Sequence, residues 1–227
     1  MIPIKTDVQI KTPPYLTIIF CLVCTVIYCL QSPVLFPGGV VPLDFVYSLL
    51  HPGGHLVTSG IILMSSFFLH GSLMHLIGNM WYLWLFGSKL EGTIGHFRFL
   101  LLYFASGIIA MLTQIANDPL STIPIIGASG AIAGCMGMYL IVLPFSKVIL
   151  GIPPLFSVRL YAGFFLLLWF WLQWASVGST HLSSGRIAWW AHIGGFCFGA
   201  LSGLYFRFFL SSRKNYHTKR QKGHRRK

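Results

Sequence analysis

Acidic residues are scarce in this chain of 227 residues, which has only four: Asp7, Asp44, Glu91 and Asp118. Charged residues of both signs make up 9% of the sequence and hydrophobic residues 55%, and the mean hydropathy is +0.73. Soluble domains contain about 25% charged residues, so this composition excludes an ordinary soluble domain. It predicts a protein of the lipid bilayer.

The sequence also has few groups that hold metals or cofactors. It contains no His-Glu-x-x-His motif, which argues against a zinc intramembrane protease. None of the four acids lies within an apolar stretch, which argues against an aspartyl protease with two membrane-buried aspartates. The five cysteines fall in apolar stretches, where a thiol usually packs as a small hydrophobe. We expect no cofactor and no metal. A metal bound by His70, His75 and His192 is the weaker alternative, because no carboxylate or thiolate would complete the set.

Six apolar stretches approach the roughly 20 residues that a helix needs to cross a bilayer. They are 15–30, 68–86, 99–115, 126–143, 160–177 and 190–210. We therefore predict an all-α membrane protein with six transmembrane helices in one domain, 15–210. Residues 1–14 form the N-terminus, and residues 211–227 form a basic tail.

The basic residues indicate the orientation of these helices. All sixteen Lys and Arg except Arg186 fall before helix 1, between helices 2 and 3, between helices 4 and 5, or from Arg207 onward. Cytoplasmic segments carry such an excess, so both termini should be cytoplasmic, and the net charge of +12 reflects topology. We expect the tail to touch anionic lipid and expect no nucleic acid as partner. The segment 32–69 should lie outside and dip into the outer leaflet.

Polar side chains recur near the outer ends of the three helices that run inward. Helix 2 carries His70, His75 and Asn79, helix 4 opens with Ser129, and helix 6 opens with His192. Ionisable and polar groups inside a bilayer are costly, so they indicate a functional site. Each of them alone is more often a packing or backbone-bonding residue.

Glycines on helices 4 and 6 repeat at short spacings. They are Gly127, Gly130, Gly134 and Gly137 on helix 4, and Gly195, Gly199 and Gly203 on helix 6. Faces of small residues let membrane helices approach closely. If the two faces meet, Ser129 and His192 lie at one depth within hydrogen-bond reach.

Four motifs resemble those of the rhomboid intramembrane serine proteases. They are His70-x4-His75-x3-Asn79, Gly127-x-Ser129-Gly130, Ala191-His192-Ile193-Gly194-Gly195 and Glu91-x3-Gly95. The resemblance implies a rhomboid-like six-helix bundle that hydrolyses peptide bonds in or near transmembrane segments. It implies a dyad of Ser129 as nucleophile and His192 as base. The oxyanion donors would be His75, Asn79 and the Ser129 N–H, His70 could line the water entry, and Glu91 would be structural.

Some features depart from the family pattern. Ala133 stands where many members have an aromatic residue against the catalytic histidine, which leaves the orientation of His192 unexplained. A catalytically silent relative that binds transmembrane clients is therefore the alternative function; a small transporter is disfavoured because no internal repeat is visible.

The aromatic helix 5 is either a lateral gate or a lipid-facing surface. Transmembrane proteins and the bilayer are the expected partners, the bacterial inner membrane is the expected location, and the sequence gives no oligomeric state.

Overall fold

The fold is predominantly helical in the computed structural model, which describes residues 2–10, 12–30, 38–51, 55–152, 156–177 and 187–210. The α-helices are α1 (Tyr15–Leu30), α2 (Pro42–Leu50), α3 (Leu56–Ser66), α4 (Leu73–Tyr82), α5 (Ser88–Ile94), α6 (His96–Asn117), α7 (Ser129–Val142), α8 (Ala162–Ser176) and α9 (Trp189–Tyr205). Two π-helical segments, Leu83–Gly87 and Phe206–Leu210, and three strands, β1 (Ile2–Thr6), β2 (Lys147–Ile152) and β3 (Phe156–Tyr161), complete the described elements. The predicted tail 211–227 lies outside the described residues.

The second predicted span, 68–86, has different bounds in the structure. The helix begins at Leu73 because the Ser72 side chain accepts a hydrogen bond from the His75 N–H and caps its first turn. It then continues without a break through the π-helical segment and α5. It ends before Gly95, whose φ of +88° leaves the right-handed helical region. The span therefore starts and ends later than predicted.

The other predicted spans coincide with α1, α6, α7, α8 and α9 to within a few residues. Of the described helices, α6 alone is both long and apolar enough to cross a membrane unaided. The apolar helices α1, α7 and α8 are shorter, while the π-helical segments lengthen the helices that contain α4 and α9. The structure thus shows a helical bundle, and the count of six membrane spans stays a prediction.

Glu91 joins the start of α1 to α5. Its carboxylate is fully buried and accepts hydrogen bonds from the backbone N–H groups of Leu16 and Thr17, each at 2.9 Å, and from the Thr17 hydroxyl at 2.7 Å. Nδ1 of His96 lies 2.6 Å from the same carboxylate. Because the first N–H groups of a helix lack intrahelical acceptors, the carboxylate stabilises α1 at its N-terminus. The predicted structural role of Glu91 agrees with these contacts.

A three-stranded antiparallel sheet of order β1-β2-β3 was not predicted. The Asp7 carboxylate accepts a hydrogen bond from the Lys147 N–H at 2.8 Å, and Val148 and Leu150 of β2 are buried. The expectation of an all-α chain is therefore incomplete. All three strands are shorter than a membrane span and each contains a basic residue, so apolar length does not detect them.

The external segment 32–69 contains α2 and α3, as far as the structure describes it. Residue 40 pairs with residue 125 in an isolated antiparallel bridge, which ties this segment to the chain just before α7. Leu50 and Val57 are largely exposed, at 74% and 79%. Exposed apolar groups of this size suit contact with lipid, and the predicted dip into the outer leaflet stays a prediction.

The helices α7 and α9 are in close backbone contact. A methyl group added at Gly195 would overlap the Gly130 carbonyl, and one added at Gly199 would overlap the Gly134 carbonyl. A methyl group added at Gly134 would overlap Ser106 of α6. The predicted meeting of the two glycine faces is confirmed, and it allows α6, α7 and α9 to pack as the centre of the bundle.

Candidate functional site

Ser129 is the first residue of α7, and a glycine turn positions it. Gly127 has a φ of +112°, a backbone conformation that residues other than glycine rarely adopt. Its N–H donates to the Ser66 carbonyl at 2.9 Å, which ties the turn to the end of α3. Because Ser129 opens its helix, its backbone N–H has no partner within the helix.

His192 lies in the first turn of α9. Its Nε2 is 2.9 Å from the Ser129 hydroxyl oxygen, although the two residues are 63 positions apart in the chain. The Gln114 side chain on α6 accepts a hydrogen bond from the Ala191 N–H at 3.3 Å and so supports the start of α9. The structure thus brings together the two side chains that the sequence predicted to meet.

Three further side chains, which the sequence analysis did not assign to the site, surround the imidazole of His192. Nδ1 of His192 lies 2.8 Å from Oε1 of Gln173 on α8. The ring centroids of Trp169 and Trp189 are each 6.0 Å from the imidazole centroid. Ala133 is fully buried in the core, and the aromatic rings beside the imidazole come from α8 and the start of α9. Gln173 had one sequence signal: apart from Ser176, it is the only polar side chain in α8.

His75 and Asn79 lie one turn apart on α4 and face Gly127. A methyl group built on Gly127 would be 2.9 Å from Nε2 of His75 and 3.6 Å from Nδ2 of Asn79. Among the described residues, Nδ2 of the buried Asn79 has no hydrogen-bond partner. Because Gly127 has no side chain, the His75 ring and the Asn79 amide can approach this turn closely, two residues before Ser129.

His70 is buried at the turn before α4, with no exposed surface. Its ring packs against His75 at a centroid distance of 5.1 Å, and its Nδ1 lies 3.2 Å from the Phe68 carbonyl oxygen. It thus belongs to the same cluster as His75. Its predicted place at a water entry stays a prediction.

The N-terminal ends of α4, α7 and α9 meet in one polar cluster. It combines a hydroxyl, an imidazole within hydrogen-bond distance of that hydroxyl, and the side chains of His75 and Asn79 packed against the glycine turn that precedes Ser129. Nucleophilic acyl transfer requires this combination: a nucleophile, a base and donors for a developing oxyanion. In the described part of the chain, no three His, Cys, Asp or Glu residues lie close enough together to hold a metal ion.

Comparison with known proteins places these motifs in one family. The Rhomboid domain matches residues 58–208. Rhomboid protein 1, mitochondrial, of Saccharomyces cerevisiae is 32% identical over 153 residues, which are 66% of this chain and 42% of that protein. Putative rhomboid protease YdcA of Bacillus subtilis is 38% identical over 89 residues, 39% of this chain and 44% of that protein.

A further relative is rhomboid protease GluP of Bacillus subtilis, 42% identical over 80 residues, which are 35% of this chain and 15% of that protein. The aligned part of this chain thus covers less than half the length of each of these relatives. The domain match nevertheless covers more than half of this chain, including both helices that meet at Ser129 and His192. The chain therefore belongs to the rhomboid family.

Proposed function

We propose that this protein is an intramembrane serine endopeptidase that cleaves peptide bonds in or near the transmembrane segments of other proteins. The observation that carries the proposal is the 2.9 Å contact between Nε2 of His192 and the Ser129 hydroxyl. A serine that only packs in a membrane helix usually bonds to its own backbone. A serine whose hydroxyl contacts an imidazole, with side-chain N–H donors nearby, instead indicates a hydrolytic site.

Ser129 acts as the nucleophile in this mechanism. Its Oγ attacks the scissile carbonyl carbon, and Nε2 of His192 takes the hydroxyl proton. When the C–N bond breaks, the imidazolium gives that proton to the leaving amine. The Ser129 ester that results is hydrolysed by water, with His192 again taking a proton and Ser129 regaining its hydroxyl.

The oxyanion of each tetrahedral intermediate requires donors on its side of the carbonyl. We assign this role to the Ser129 backbone N–H, Nδ2 of Asn79 and the His75 imidazole. The lack of a partner for Nδ2 of Asn79 among the described residues supports the assignment, because a buried amide donor without an acceptor is costly. An arriving oxyanion would supply that acceptor.

Rhomboid membership makes this an integral membrane protein with a helical membrane bundle. We propose that it crosses the bilayer six times with both termini in the cytoplasm, as the distribution of basic residues favours. The unbroken helix from Leu73 to Ile94 supports the second crossing, since 22 residues rise about 33 Å. Relatives with mitochondrial as well as bacterial origins match, so the narrower expectation of a bacterial inner membrane is not supported.

The topology can be tested with an alkaline phosphatase reporter that is active only outside the cytoplasm of a bacterial host. A fusion after Lys227 should be inactive, whereas a truncated fusion after Leu120, between α6 and α7, should be active. Activity after Lys227 would contradict the proposed orientation. A cytoplasmic reporter at the same two sites, such as green fluorescent protein, should give the opposite pattern.

The activity can be tested by co-reconstituting the full chain in liposomes with single-span substrates. The substrates should carry glycine near the outer end of the span, because a helical peptide bond must unwind before a nucleophile can reach its carbonyl. Wild type should cleave them, and both Ser129→Ala and His192→Ala should lose cleavage. Wild type that binds these substrates without cleaving them would instead favour the catalytically silent alternative.

The oxyanion assignment predicts a graded loss. Asn79→Ala should lower kcat by about 10- to 1000-fold, because the donor acts on charge that develops only in the transition state. KM and the thermal midpoint should change little. Asn117→Ala, at the exposed end of α6, is the matched control and should keep wild-type turnover. Unchanged kcat in Asn79→Ala would remove this side chain from the mechanism.

A further inference from the structure

Gln173 is the polar group on the far side of His192 from Ser129. It lies in α8, is 8% exposed, and contacts Nδ1 of His192 through Oε1 at 2.8 Å. The rest of its helix is almost wholly apolar. Because burying an amide in such surroundings is costly unless it is hydrogen-bonded, its placement against the imidazole requires an explanation.

The backbone of α8 fixes which way the Gln173 amide points. Nε2 of Gln173 donates to the Trp169 carbonyl oxygen at 3.3 Å, one turn earlier in the helix. A carbonyl oxygen can only accept, so the amide NH2 must face Trp169. The amide oxygen must then face His192, and it too can only accept.

This order of donors determines where the proton of His192 lies. Since Oε1 of Gln173 can only accept, Nδ1 of a neutral His192 carries the proton and donates it. Nε2 then has the free lone pair, and the Ser129 hydroxyl donates to it across 2.9 Å. Four groups, from the Trp169 carbonyl to the Ser129 hydroxyl, thus form one hydrogen-bonded series with a single direction.

We propose that Gln173 is a positioning residue that holds His192 in the Nδ1–H tautomer, the form that can accept the Ser129 proton. The inference rests on the proposed function. Trp169 and Trp189 flank the imidazole at 6.0 Å and limit its rotation, while Gln173 selects its tautomer. Together these three side chains orient the imidazole, which Ala133 has no aromatic ring to do.

A neutral amide suits this position in a membrane. A buried carboxylate would have to be taken out of water at a cost of several kcal/mol, and Glu91 is already engaged with α1. Amides orient the catalytic histidine in papain-like proteases, so the chemistry does not require an acid. The amide should stabilise the imidazolium less than a carboxylate would, which makes its main effect one of orientation.

The test compares Gln173→Leu, which keeps the bulk but removes the acceptor, with Gln173→Glu, which restores an acceptor oxygen. Gln173→Leu should lower kcat, with KM nearly unchanged, by less than the roughly 10⁴-fold that loss of the orienting carboxylate costs a Ser-His-Asp triad. Gln173→Glu should recover part of the loss, because its carboxylate also accepts from Nδ1 but has no NH2 to donate to Trp169. A residue that only packs α8 would instead change KM or the thermal midpoint. It would not be rescued by a charged side chain.

A second readout does not depend on activity. Nitrogen-15 NMR of the histidine-labelled protein in bilayers distinguishes the two tautomers, and the His192 signals are identified by their loss in His192→Ala. Wild type and Gln173→Glu should show His192 with its proton on Nδ1, and Gln173→Leu should show a mixture. Gln114→Leu, which removes the other glutamine that contacts the start of α9, is the matched control and should keep the Nδ1–H form.

The two readouts separate the two proposals. If wild type cleaves no substrate but Gln173→Leu changes the tautomer, the positioning role stands and the proposed function fails. If wild type is active and Gln173→Leu keeps both wild-type kcat and the Nδ1–H tautomer, the positioning role is wrong.

Discussion

Gly195 and Gly199 of α9 lie against the backbone carbonyls of Gly130 and Gly134 on α7, with no room for a methyl group between the helices. Lipid tails are as apolar as leucine side chains, so membrane helices associate through close packing rather than through the hydrophobic effect. This contact fixes the separation of α7 and α9 along their length. It therefore also fixes the distance between the residues at their N-terminal ends, which are Ser129 and His192.

The polar groups above this contact satisfy one another because the bilayer offers few other partners. The series from the Trp169 carbonyl through Gln173 and His192 ends on the Ser129 hydroxyl. Nδ2 of Asn79 differs, because no described residue accepts its hydrogen bond. Both ring nitrogens of His192 thus have hydrogen-bond partners, whereas the Asn79 amide can still donate to an incoming acceptor. This difference is the basis of the proposed hydrolysis.

Most of the helices could be predicted from the sequence, because the length of an apolar stretch carries the information. The glycine spacing predicted the pairing of Ser129 with His192 for a physical reason, since small residues allow close approach. The bounds of the second helix were wrong, because a local cap at Ser72 and a buried Glu91 override hydropathy. The sheet and Gln173 were missed because strand pairing and side-chain contacts between helices leave no periodic signal in the sequence.

Fluorophosphonate labelling tests whether close α7–α9 packing makes Ser129 reactive. Labelling rates at Ser129, located by mass spectrometry, should be compared in detergent-purified wild type, Gly199→Ala and Gly78→Ala. A methyl group at Gly78 meets no atom within 4 Å, whereas one at Gly199 overlaps α7. We predict wild-type labelling in Gly78→Ala and its loss in Gly199→Ala. Equal labelling in all three proteins, or none in wild type, would contradict the account.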